Sequence, residues 1–206
     1  MRISLRVLLG FFLIVGLAAY FVLGTFMAEV KPGVRQGMEV ALVDTAQILA
    51  EMAAPDLKAG TLARGRFAET VRAYQARRFH APIWGVTKDR ADFRVYVTDA
   101  KGILLYDSSG EAPGADYSRW NDVFLTLQGR YGARTTPPDD PAISVMYVGA
   151  PVLDQDRIIG VVSVGSPTAS VLPYAERSQS RVFQAGLVLM GAALLVGAGL
   201  SLWLTR

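Results

Sequence analysis

Phe93-Arg94-Val95-Tyr96-Val97-Thr98-Asp99-Ala100-Lys101-Gly102-Ile103-Leu104-Leu105-Tyr106 decides the fold class of this 206-residue chain. Phe93, Val95 and Val97 alternate with Arg94, Tyr96 and Thr98, the period of a strand whose two faces differ. Asp99 to Gly102 supplies turn residues, and Ile103 to Tyr106 reads as the returning strand of a hairpin. Two further strands are expected at Ser144–Leu153 and Ile158–Val164, turned by Asp154-Gln155-Asp156-Arg157, and a fifth at Gly132–Thr136 before the loop Pro137–Pro141. Hairpin-connected strands build an antiparallel sheet, and the helical patterns that precede them make the class α+β.

Those helical patterns begin just after Lys31-Pro32-Gly33, where a kink or break is expected. Val34, Met38, Ala41, Thr45, Ile48 and Met52 recur at helical spacing, and Leu42 and Leu49 add a second apolar line. The pattern predicts a long helix, ended by Pro55, that packs on its own domain along one line and on a partner subunit along the other. A purely intramolecular helix fits the pattern equally well. Thr61–Arg78 is a second, weaker helical stretch whose arginines (64, 66, 72, 77 and 78) read as a solvated face near lipid headgroups. Between Asp107 and Ile143 runs a long connection, with a short helix expected around Arg119–Gln128 from the spacing of Trp120, Phe124, Leu127 and Tyr131.

At the ends of the chain the pattern changes to continuous apolar runs. Val7–Ala28 and Val182–Thr205 carry no charge, and helices of that length cover about 33 and 36 Å, enough for a hydrocarbon core. An uncleaved anchor is favoured over a signal peptide cut after Ala18, because the apolar run continues unbroken to Ala28. Ala193, Gly197 and Ser201 form a small-residue row that either permits close helix packing or is ordinary membrane composition. Of the 21 Lys and Arg, only Arg2, Arg6 and Arg206 lie outside 29–181, which leaves 18 cations there against all 18 acids. The surplus of positive charge therefore marks the termini as cytoplasmic and does not point to nucleic acid. The expected organisation is 1–6 cytoplasmic, 7–28 a first membrane helix, 29–181 an exported domain, 182–204 a second membrane helix and 205–206 cytoplasmic again.

The side-chain chemistry is sparse. With no cysteine there is no disulfide, thiolate nucleophile or Cys-held zinc. His80 is the one histidine, beside Pro82 in an expected loop, and cannot form a triad or a metal pair alone. No phosphate-cradling GxxxxGK[ST] occurs. Asp139-Asp140 and Asp154 with Asp156 are better explained as turn residues than as metal ligands, and no metal is expected. A pocket is expected on the sheet face of Arg94, Tyr96 and Thr98, with walls from Trp120, Asn121, Arg130, Tyr131 and Tyr147 and with Asp107 at the strand end. Such a pocket suits an anionic or amide-bearing metabolite. Against it, Trp and Tyr are common core residues, and Arg130 and Arg134 have Asp116 and Asp122 as alternative partners.

The run Val95–Gly102 continuing to Leu105–Ser108, and Tyr147–Val152 with Ile158–Val164, resemble the hairpins of extracytoplasmic PAS-like or single-Cache sensor domains. Val30–Arg35, Asp116–Val123, Gly129–Arg134 and Ser144–Val148 resemble the input half of CreC-type sensor histidine kinases. The resemblance implies a bacterial inner-membrane protein, dimeric through the Val34–Met52 helix and the membrane helices, with 29–181 in the periplasm and a CreB-type response regulator as partner. It also implies that HAMP, phosphoacceptor-histidine and ATP-binding domains follow Arg206. The 206 residues hold none of these, so this chain is not expected to be an enzyme. ATP and Mg are cofactors expected only of the kinase module. Two rival expectations remain: the sensor of a chemoreceptor or cyclic-dinucleotide enzyme, and a periplasmic scaffold tethered by two helices.

Overall fold

The computed structural model describes residues 2–83, 86–136, 144–168, 183–193, 195–197, 199 and 203, with backbone alone for 2–9, 23, 26–31 and 86. The chain divides into two compact units, Met1–Val34 with Tyr174–Arg206, and Arg35–Pro173. Within the first unit, the described residues of 183–203 are helical, and Gly197 lies against Phe12, where a Cβ would stand 3.0 Å from the ring. The first expected membrane helix, 7–28, is helical throughout; the second falls partly outside the described residues, and Ser201, the loop 137–141 and the expected helix after Pro173 fall wholly outside them. Among the described residues, no helix is long and apolar enough to cross a membrane.

Helix α1 runs without interruption from Arg2 to Lys58. It passes the expected break at Pro32-Gly33 and ends beyond the expected stop at Pro55. A proline removes one rung of the hydrogen-bond ladder, a local cost of about 3 kcal/mol that helical contacts on either side can outweigh. At position 55 the lost rung falls in the last turn, where Pro55 still accepts from the amide of Ala59. Leu42, Ala46, Ala50 and Ala53 are buried along one line of the helix. The parallel line is open to solvent, with Ile48 63% and Met52 43% exposed.

Helix α2 (Arg66–Ala76) begins after Gly65, which has no side chain to cap it. Asp56, from the last turn of α1, supplies the cap by accepting the Phe67 amide at 2.7 Å. The next segment forms a two-stranded sheet, β1 (Arg78–Ile83) with β2 (Val86–Arg90), a hairpin that the sequence reading does not contain. His80 is thus on a strand and not in a loop. The main sheet comprises β3 (Arg94–Asp99), β4 (Leu104–Asp107), β5 (Gly132–Thr135), β6 (Val145–Asp154) and β7 (Arg157–Pro167) in the antiparallel order β4-β3-β7-β6-β5. Gly102 closes the β3–β4 turn with φ +82, and a Cβ there would also meet the Ser118 backbone at 2.6 Å.

Both faces of this sheet are covered, so its strands read as buried along almost their whole length. Val95, Val97, Val148, Val162 and Val164 join the buried line of α1 and Phe67 of α2 in one core. Tyr96, Leu104, Tyr147 and Val161 join Tyr117 and Val123 in a second core, beneath α3 (Asn121–Leu127) and the connection that leads to it. Helix α3 reaches the sheet because glycines lie under it. A Cβ on Gly149 would stand 2.2 Å from the Asp122 carbonyl oxygen, and one on Gly132 2.7 Å from it. Gly149→Ala is therefore expected to cost about 1–3 kcal/mol by forcing α3 off the sheet. Gly37→Ala, in open space on α1, should be neutral or stabilising by about 0.5–1 kcal/mol. Urea unfolding of the two variants checks the contrast.

Candidate functional site

The second core is where charge is buried. Asp122, in the first turn of α3, is 0% exposed. Its carboxylate accepts three hydrogen bonds: from the Tyr96 hydroxyl, from Ser163 Oγ at 2.7 Å, and from Arg134 Nε at 3.0 Å. The donors come from three strands, β3, β7 and β5, so one side chain of α3 ties together the middle and one edge of the sheet. Three donors on a carboxylate satisfy most of its accepting capacity, which is what makes its burial tolerable.

Arg134 is held on its faces as well. Its guanidinium carbon lies 4.0 Å from the centre of the Trp120 ring and 4.4 Å from that of Tyr147. Trp120 in turn stacks on Tyr117 at 3.6 Å, and Tyr96 meets Tyr117, Trp120 and Tyr147 at 5.2–5.8 Å. The result is an aromatic cage around an ion pair, in which cation–π attraction adds to the Coulombic one. Burial acts to lower the Arg134 pKa, but the Asp122 charge, with smaller help from Tyr96, more than offsets it and the net shift is upward. Burial and the adjoining Asp122 carboxylate push the Tyr96 phenol well above its ordinary range. The Arg134 side chain is 19% exposed, and among the described residues only its Nε has a hydrogen-bond partner at Asp122.

The residues expected to line a pocket are placed unequally. Tyr96, Trp120 and Tyr147 meet in the cage. Thr98 lies buried two positions along β3 from Tyr96, and its Oγ1 has no hydrogen-bond partner among the described residues. Arg94 is exposed at the start of the same strand. Asp107 accepts from the amide and hydroxyl of Ser109, a turn contact outside the cage. Asn121 and Arg130 are exposed, and Tyr131 is turned toward α1, where its hydroxyl donates to Glu39. The pair at the centre, Asp122 and Arg134, enters the sequence reading only as one of several possible ion pairs. Two glycines inside strands, Gly132 and Gly149, are the signal that marks where a helix comes close.

No protein-family model matches the chain. It is 52% identical over 208 residues, 100% of its own length, to the sensor protein CreC of Escherichia coli (strain K12), and it spans 44% of that protein. Among solved structures it is similar to the sensory domain of the Campylobacter jejuni chemoreceptor Tlp3 with isoleucine bound, at 14% identity and TM-score 0.51 over 77% of this chain and 64% of that one. The ligand-binding domain of the same receptor in complex with L-valine gives 14% identity and TM-score 0.50 over 77% and 65%. Those likenesses bear on the fold, which is that of Cache-like sensor domains.

Two outcomes test the energetics of the centre. Arg134→Met leaves the Asp122 charge buried without its counter-ion, and a loss of about 3 kcal/mol in urea unfolding is expected. The double variant Asp122→Leu/Arg134→Met removes both charges and should recover much of that loss. Tyr96 makes stability pH-dependent. With its folded pKa raised above the ordinary 10.0, its contribution is complete below about pH 10 and falls as pH rises further. Tyr96→Phe should flatten that alkaline fall in part, since burial raises the phenols of Tyr74, Tyr106, Tyr117 and Tyr131 as well.

Proposed function

Since the chain is similar along its whole length to the sensor protein CreC, we propose that it is the extracytoplasmic sensing and transmembrane-signalling part of a bacterial sensor histidine kinase acting on a CreB-type response regulator. The observation that carries the sensing role is the caged ion pair. A buried pair adds little net stability compared with apolar side chains of the same volume. It does provide charges that an ionic ligand can engage in place of, or beside, the internal partner. The proposed site comprises Tyr96, Thr98, Trp120 and Tyr147 around Asp122 and Arg134, with Arg94, Asn121, Arg130, Tyr131 and Asp107 farther out. The proposed stimulus is a small molecule bearing a carboxylate or phosphate, because a guanidinium held between two rings offers a forked donor to the oxygens of such groups. Isoleucine, bound by the Campylobacter jejuni receptor, is a molecule of that chemical kind.

The membrane placement follows from the apolar runs. In the first unit Leu13, Leu17, Tyr20, Leu189, Leu195 and Trp203 are each 69–79% exposed, a surface that water does not favour and lipid does. Residues 7–28 and 182–204 are proposed to span the inner membrane and 29–181 to lie in the periplasm. A second copy is proposed to cover the open line of α1 at Ile48 and Met52.

Calorimetry of the full chain in lipid nanodiscs against small organic acids, amino acids and cell-wall fragments tests the sensing role. A ligand is expected to lose at least about tenfold in affinity with Trp120→Ala or Arg134→Gln. A ligand that binds both variants as well as wild type would remove the cage as the site. The absence of native cysteine makes dimer geometry directly readable. Ile48→Cys is expected to crosslink between copies in membranes, and Gln47→Cys much less.

A further inference from the structure

Strand β5 stands between the ion pair and α1, and its residues alternate between the two. Successive side chains of a strand point to opposite faces of a sheet. Arg134 points to the α3 face, where it meets Asp122. Its neighbour Thr135 points to the α1 face, where its Oγ1 accepts from the Arg35 guanidinium at 2.7 Å. Just before the strand, the Tyr131 hydroxyl donates to Glu39 of the same helix. Arg35 and Glu39 are four residues apart, neighbours on one face of α1. The two ties therefore fix both the height and the rotation of that turn against β5.

The strand is suited to movement. At four residues it is short, and it lies at the sheet edge, paired to β6 alone. Shifting it disturbs one ladder and not two. Its ties to α1 are solvent-exposed polar contacts, which are individually weak and exchange readily.

We infer that β5 is the element by which α1 reads the state of the Asp122–Arg134 pair, with Tyr131 and Thr135 as its two positioning residues. When Arg134 is engaged by Asp122, β5 is drawn toward α3 and α1 is held at residues 35 and 39. When an anion competes for the guanidinium, β5 relaxes and the hold on that turn of α1 changes. The inference rests on the sensing role proposed above, and it names the exit of the signal from that site.

It can be tested without any ligand, by hydrogen–deuterium exchange on the full chain in nanodiscs. Arg134→Met is expected to speed amide exchange in residues 35–43 by about tenfold while β3 stays protected. In a Tyr131→Phe/Thr135→Val background, which removes both ties and keeps side-chain shape, the same substitution should add less than about twofold. Arg134→Lys, which keeps the charge and alters the geometry, serves if the Met variant does not fold. Unchanged exchange at 35–43, or a full additional effect in the background without ties, would overturn the inference. The failure of every small molecule to bind would count against the sensing role and leave this coupling intact, so the two can be told apart.

Discussion

A single carboxylate, carried by α3 and buried against the main sheet, organises one face of this domain. Asp122 is wholly buried from bulk solvent, and the groups that meet its charge come from β3, β5 and β7. The constraint spreads outward from there. Arg134 must lie flat between Trp120 and Tyr147, Tyr96 must stay protonated, and α3 must approach close enough for glycine to be required at 132 and 149. Remove the carboxylate and each of those choices loses its reason.

On the other face the chemistry is ordinary and apolar. Valines of the central strands pack on alanines and Leu42 of α1, and α1 also caps α2 through Asp56. The division of labour is clean: one face supplies stability, the other holds charge. β5 is the strand whose side chains engage polar partners on both.

The hairpins of the main sheet were legible in the sequence to within three residues, because alternation and turn residues agree with one another there. Gly102 and the Asp154–Arg157 turn are local signals with local causes. The burial of Tyr96 and Thr98 was not legible, since period two separates faces and does not say what covers them. The covering element, α3, falls within the helix expected at Arg119–Gln128, but its spacing does not say which surface it packs against. The β1–β2 hairpin was missed for a related reason. Its residues, from Arg78 to Arg90, are mixed in polarity and belong to no extended apolar face. The two prolines of α1 misled in the opposite direction: a strong local signal lost to helical contacts on both sides. For the ion pair, the sequence offered two arginines and two aspartates. Choosing between them needed the third dimension.

The glycine seats beneath α3 carry a consequence for how such a domain diversifies. Positions 132 and 149 admit nothing larger than hydrogen, so the seat of α3 cannot be altered in small steps. The rings at 117, 120 and 147 stand under no such ban, and exchange among aromatic or long aliphatic side chains there would reshape the cage around the Arg134 guanidinium. With the cage as the proposed ligand site, lineages descending from one ancestor would acquire new chemical tastes by redecorating its rings while the seat of α3 stays as it was.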